Sequence, residues 1–165
     1  MDRRCLEGCP QLGTLDELQL LNLQHNLITR IQHLSHLQQL VFLNLYDNHV
    51  SEMTGIESLF SLRILMLGKN RIRKICCLGS LSKLNILDLH DNQVLFTEFT
   101  PSSTLQICRI ENVSHLSELQ VLNLAGNSIS RVENLRGLDG LTELNLRHNC
   151  VSAVGDVAHY PATSL

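Results

Sequence analysis

The stretch LQLLNLQHNLITRIQHLSHLQQL, Leu18 to Leu40, carries two periods in one run of chain. In its first part Leu21 and Leu23 alternate with Asn22 and Gln24, the two-residue period of a half-buried strand. In its second part Ile28, Ile31, Leu34, Leu37 and Leu40 fall at every third residue, which suits neither a strand nor the 3.6-residue period of an α-helix. A 3₁₀-like return, with three residues per turn, would keep all five on the buried side. Between the two parts stands Asn26, whose amide offers two donors and an acceptor to backbone groups where the strand ends.

The same frame recurs along the chain. Asparagines at Asn26, Asn48, Asn70, Asn92, Asn127 and Asn149 are separated by 22, 22, 22, 35 and 22 residues, and the odd interval is 22 plus 13. Each is preceded by leucines eight, five and three residues earlier, from Leu18, Leu21 and Leu23 to Leu141, Leu144 and Leu146. The pattern LxxLxLxxN therefore occurs six times, and self-similarity at a period between 20 and 50 residues signals a solenoid. The expected architecture is an α/β solenoid: a curved horseshoe segment with a parallel concave sheet, a buried ladder of the six asparagines, and a convex side of 3₁₀ or short helices.

Subtracting 22 from the first return segment places Leu6, Cys9, Leu12, Leu15 and Leu18 in core slots but Arg4 in the asparagine slot. Residues 1–17 thus form a partial N-terminal repeat, 18–160 hold six repeats, and 161–165 form a truncated tail. Val154, Val157 and Tyr160 keep the frame before Thr163 breaks it. Without a polar or helical cap, the frame suggests a segment or short isoform of a longer solenoid with exposed apolar ends. The 13 extra residues fall at about 95–107. Phe96 and Phe99, two of the four phenylalanines, would suit a loop displayed to a partner. The favoured reading is a tolerated excursion, since the added loop length costs only about 0.4 kcal/mol.

The outward strand positions form three columns. The first, Leu20, Phe42, Ile64, Ile86, Val121 and Glu143, is apolar in five of six rungs. The second is Asn22, Asn44, Met66, Asp88, Asn123 and Asn145, and the third Gln24, Tyr46, Gly68, His90, Ala125 and Arg147. An exposed apolar stripe beside polar columns marks a protein-binding face, although packing of neighbouring rungs on one another would also account for the aliphatics. Phe42, Tyr46 and Met66 are the candidate anchors, with Asp47, Lys69, Asp88 and Asp91 as rim charges.

Net charge −3, with no basic tract, gives no electrostatic footprint for nucleic acid or an anionic membrane. No stretch approaches the roughly 20 apolar residues of a membrane span, and MDRRCLEGCP lacks the apolar core of a signal peptide. A soluble intracellular protein is expected. The cysteines, Cys5, Cys9, Cys76, Cys77, Cys108 and Cys150, contain no CxxC pair and read as reduced thiols. Asn112-Val-Ser114 has the form of a glycosylation acceptor, which carries no meaning on a chain outside the secretory pathway.

No catalytic signature such as GxSxG, HExxH, a Walker loop or GxGxxG is present, so the chain reads as noncatalytic, without cofactor. His33-x-x-His36 flanks core Leu34 and reads as solvated surface rather than a metal site, since two ligands rarely hold zinc. His25, His90 and His148 fall on or beside the concave rim. Cys76-Cys77 takes positions held elsewhere by Gln32-His33 and Thr54-Gly55, and reads as exposed thiols rather than a redox site.

These repeats resemble the 22-residue subclass of leucine-rich repeat proteins typified by the regulatory subunit of protein phosphatase 1. LLNLQHNLITRIQ, LNLYDNHV, LMLGKNRIRKI, LDLHDNQV and GLDGLTELNLRHN also resemble, at variable as well as framework positions, a noncatalytic subunit of the tubulin polyglutamylase complex. The resemblance implies a cytoplasmic, microtubule-associated scaffold whose partners are subunits of that complex and microtubules. The alternative it leaves is a regulatory module that holds the phosphatase catalytic subunit on the concave face.

Overall fold

The computed structural model describes residues 1–92 and 106–155. Most of the expected insertion, and the tail with Val157 and Tyr160, lie outside the described residues. Six three-residue strands build one parallel sheet: β1 (Leu20–Asn22), β2 (Phe42–Asn44), β3 (Ile64–Met66), β4 (Ile86–Asp88), β5 (Val121–Asn123) and, after a short β6 (Arg131–Val132), β7 (Glu143–Asn145). The sheet order is β1-β2-β3-β4-β5-β7, so every coil lies beside its sequence neighbour. Leu21, Leu43, Leu65, Leu87, Leu122 and Leu144 stand in register and point inward. The register continues unbroken from Ile86 to Val121, so the 13 extra residues leave the sheet intact. On the opposite side β6 pairs with β8 (Ala153–Val154), also parallel.

The three-residue period has a different structural origin from the one expected. No helix occurs among the described residues, and the 3₁₀ or short-helix return is corrected to tandem turns. The Leu37 N–H donates to Leu34 O (2.9 Å) and the Leu40 N–H to Leu37 O (3.0 Å), and the same pair recurs at Ile56-Leu59-Leu62, Leu78-Leu81-Leu84 and Val113-Leu116-Leu119. A 3₁₀ helix would bond at successive residues. Here the bonds fall on the core leucines, each closing one turn and opening the next. Every third side chain is consequently buried, which preserves the core slots without a helix.

Ile107 is fully buried, and its carbonyl accepts from the Ser128 N–H (3.0 Å), as Ile28 O accepts from His49 and Ile129 O from Cys150. It fills the core slot that follows the asparagine position in the other repeats, so Ile107, expected within the insertion at about 95–107, belongs to the repeat frame. At the start of the chain, Arg4 and Leu6 N–H groups both donate to Asn26 Oδ1, the Asn26 amide donates to Met1 O, and the Met1 ammonium donates to Asn22 O (2.9 Å). Cys9 and Leu12 are buried beneath these contacts. Met1, Leu15 and Leu20 remain exposed at this end and Val154 at the other.

Candidate functional site

The asparagine ladder fixes the corner that shapes the outward face. Asn48 Nδ2 donates to Leu23 O, Leu45 O and Tyr46 O, while its Oδ1 accepts from the Ile28 N–H (3.0 Å). Asn70, Asn92 and Asn149 repeat this set on their own neighbours, Asn26 shares it with the N-terminal residues, and Asn127 keeps the donor bonds. The residue just before each ladder asparagine has positive φ: His25 54°, Asp47 54°, Lys69 51°, Asp91 52°, Gly126 66° and His148 56°. This left-handed corner turns Asp47, Lys69 and Asp91 out to solvent, where the sequence placed them as rim charges.

The second column has a structural duty that its spacing did not announce. Asn22, Asn44, Asp88, Asn123 and Asn145 each accept, through a side-chain oxygen, the N–H of the residue two positions on. Such Asx turns end the strand by giving its next donor a partner off the ladder. Asn44 also donates to Gln24 Oε1 (2.8 Å), and both Asn44 and Asp88 are buried. Asp88 is therefore not a rim charge: at 6% exposure it supports the face from within. Met66 carries no such acceptor and lies half-buried in the column.

In the first column Phe42, Ile64, Ile86 and Val121 are half-buried, whereas Leu20, on the edge strand, is 67% exposed and Glu143 is exposed. Rung-on-rung packing thus covers part of the aliphatic stripe and leaves its outer edge free.

The third column gathers the most distinctive chemistry. Gly68 lies between Tyr46 and His90, and a Cβ there would run into the His90 ring. The missing side chain lets two residues 44 positions apart (90 − 46) meet: their ring centroids are 5.6 Å apart at 30°. His25 packs on Tyr46 edge-on (5.5 Å, 89°), and Lys69 Nζ sits 5.5 Å from the Tyr46 centroid, within cation–π range. His90 Nδ1 donates to Asp88 Oδ1 (2.7 Å), and His25 Nδ1 lies 2.7 Å from Asp47 Oδ2. The Asp88 hydrogen bond raises the His90 pKa against the lowering effect of burial, and Tyr46 followed by the charges of Asp47 and Asp91 holds Lys69 above its usual range.

The structure therefore brings Tyr46, Asp47, Lys69, Asp88 and His90 into one cluster, with Asp91 on its rim. Arg147, Asn145 and Glu143 belong to the last rung. The contact of His25 and the spacer role of Gly68 escape sequence reasoning, because an interrupted column gives no sign that its neighbours touch. Among the described residues no three His, Cys, Asp or Glu side chains converge as metal ligands, and no helix is long and apolar enough to cross a membrane.

A family model described as leucine-rich repeats in two copies matches residues 117–159. The fold is a leucine-rich repeat solenoid. The chain is similar to an internalin, InlF, from Listeria monocytogenes, at 23% identity and TM-score 0.69 over 92% of this chain and 48% of that one. It is similar to a leucine-rich repeat protein of Leptospira interrogans at 26% identity and TM-score 0.63, covering 90% and 45% of the two chains. The chain also matches TLR13 from its ssRNA13 complex, at 25% identity and TM-score 0.73, over 91% of this chain and 21% of that one. Among curated proteins, human leucine-rich repeat-containing protein 49 is 52% identical over 37 residues, which is 22% of this chain and 5% of that protein. The leucine-rich repeat chain described here thus spans only a small part of that relative and about half or less of the solved ones.

Proposed function

We propose that this leucine-rich repeat chain is a noncatalytic scaffold that binds protein through the outward face of its six-stranded sheet, in association with tubulin polyglutamylation on microtubules. The observation that carries the binding reading is the cluster around Tyr46, where an exposed lysine meets an aromatic ring and two histidines, all partly accessible from solvent, beside the half-buried Phe42 and Met66. Aromatic residues set in such surroundings dominate the energy of protein interfaces. The finer reading rests on the similarity to leucine-rich repeat-containing protein 49 and makes the chain a cytoplasmic subunit or isoform associated with the cytoskeleton.

Charge favours a particular division of labour. Of the charges exposed at the centre of the face, Asp47 and Asp91 outnumber Lys69, so glutamate-rich tubulin tails would meet like charge there, which costs affinity. The face suits another subunit of the complex, and the tails are left to the enzyme. A regulatory module of protein phosphatase 1 would use the same face on a different catalytic subunit.

Capture from brain or ciliated-cell extract with the tagged chain, scored for glutamate addition to tubulin and for phosphatase activity, tests both. The expected result is recovered polyglutamylase activity that Phe42→Ala and Tyr46→Ala each reduce by roughly tenfold or more. Phosphatase recovery instead would transfer the reading to the regulatory module. A folded bait recovering neither would overturn both.

A further inference from the structure

Neighbouring residues of an extended chain point their side chains to opposite sides. Cys76 and Cys77 do not. Cys77 has φ 63°, one of a set of left-handed positions that recurs at His33, Gly55, Asn112 and Asn134 on the return segment. This fold-wide corner swings the second sulfur back toward the first, so that the two Sγ atoms are 3.3 Å apart. Both side chains are half-buried against the core, which corrects the expectation of exposed thiols.

Cys76 also lines a cleft of about 420 Å³ with Ser51, Glu52, Thr54, Arg73 and Lys74. A reagent can therefore approach the pair from solvent. We propose that Cys76 and Cys77 form a vicinal dithiol site that chelates a soft trivalent centre of the organoarsenic(III) class, with both sulfurs on one arsenic atom and the organic group in this cleft.

Geometry selects this chemistry over its competitors. With metal–sulfur bonds of about 2.3 Å, a tetrahedral zinc ion would hold two sulfurs about 3.8 Å apart and would need two more ligands. No such group of ligands converges among the described residues. With bonds of similar length, the observed 3.3 Å corresponds to an angle of roughly 90° at the bridging atom, which suits a pyramidal three-coordinate centre. Direct disulfide closure would have to draw the sulfurs to about 2.05 Å across Cα atoms only about 3.8 Å apart, below the usual disulfide span. A bridging atom needs no such closure.

The reaction balances without an oxidant. Phenylarsine oxide and the two thiols give a cyclic dithioarsonite and water: two S–H bonds and the arsenic–oxygen bond break, two As–S bonds form, and both protons leave on the oxygen. Arsenic stays trivalent throughout. Burial, followed by the hydrogen bond with Cys76, pushes the Cys77 thiol up to about 12, so Cys77 enters the reaction as a protonated thiol and delivers its proton to the departing oxygen.

The test treats the reduced full chain with phenylarsine oxide and follows the adduct by intact mass and peptide mapping. Trypsin cleavage after Lys74 and Lys83 isolates both cysteines on one peptide, Ile75 to Lys83. The expected outcome is a single arsenic bridged within that peptide, resistant to excess 2-mercaptoethanol and released by 2,3-dimercaptopropanol. Cys76→Ser and Cys77→Ser should each weaken binding on the order of 100-fold, because the second bond is then no longer intramolecular. Arsenic on another peptide, release by the monothiol, or undiminished binding by either variant overturns the proposal. Should a serine variant fail to fold, the peptide map of the unmodified sequence still decides.

Discussion

Asn70 and Asn127 occupy the same slot of the same repeat, yet one makes a bond the other lacks. Both donate through Nδ2 to three carbonyls, Leu45, Leu67 and Gly68 for Asn70, and Leu89, Leu124 and Ala125 for Asn127. Asn70 Oδ1 accepts from the Val50 N–H (2.9 Å), whereas Asn127 Oδ1 is buried without a partner among the described residues. The difference lies in the preceding coil. Val50 stands two residues beyond its own ladder asparagine, while Ile107, in the matching slot, stands 15 beyond Asn92 (107 − 92). The sheet register and the apolar core pass the insertion unaltered, and the directional bond does not. Apolar packing is tolerant of how a residue arrives at its slot; a hydrogen bond depends on the angle of the backbone that presents it.

The sharpest break of that comparison is Asn→Ala at each position. Asn70→Ala removes four hydrogen bonds and strands the buried Val50 N–H, and should cost about 4 kcal/mol. Asn127→Ala removes three and strands no such donor, so its cost should be about 1–2 kcal/mol less. Urea unfolding of the two variants measures this. Equal losses would show that the acceptor bond does not distinguish the coils.

Removing residues 93–105 sharpens the comparison from the other side. Joining Asn92 to Gln106 places Ile107 two residues beyond the ladder asparagine, the spacing at which Ile28, Val50 and Ile72 donate to the next rung. Such a donor would satisfy Asn127 Oδ1, so stability should rise by about 1–2 kcal/mol, with about 0.4 kcal/mol more from the shorter loop. A fall in melting temperature would mean that the deleted residues hold the junction together.

How much of this was legible in the sequence follows the same divide. The sheet, its register and the six ladder asparagines could be read because they depend on which residues recur and at what interval. The return segment was legible in its core slots, Leu34, Leu37 and Leu40, but not in its conformation, because tandem turns and a 3₁₀ helix bury the same third residue. Local geometry hid the rest. Asp88 looked like a rim charge until its Asx turn and its bond to His90 drew it inward, and nothing in CC at 76–77 announces the left-handed corner that aligns the sulfurs.

Within the outward face, Gly68→Ala tests whether the gap in the third column assembles the site. The new Cβ would displace the His90 ring, which is partly exposed and can swing away, so the stability cost should be only about 1 kcal/mol. Its clearer signature is chemical. If His90 leaves Asp88 along with Tyr46, its pKa, followed by NMR, should move back down toward the ordinary 6.5. An unchanged pKa would place the His90–Asp88 bond beyond the influence of Gly68.

The smallest effect separates two histidines of opposite sign. The His90 pKa is raised in the fold, chiefly by its hydrogen bond to Asp88, so its contribution is fully present below pH 6.5 and is lost as pH rises through the folded value. The His49 pKa is lowered, by burial first and then by the Arg71 charge, so its contribution is present above pH 6.5 and is lost as pH falls through the folded value. One residue therefore tilts the stability curve downward on the alkaline side and the other on the acid side. His90→Gln should flatten the decline above pH 6.5 and leave the acid-side loss in place, and His49→Gln should do the converse. Melting temperatures measured across this range for both variants check the pair, and a slope that stays unchanged in His90→Gln would show that the Asp88 bond stores no proton-linked stability.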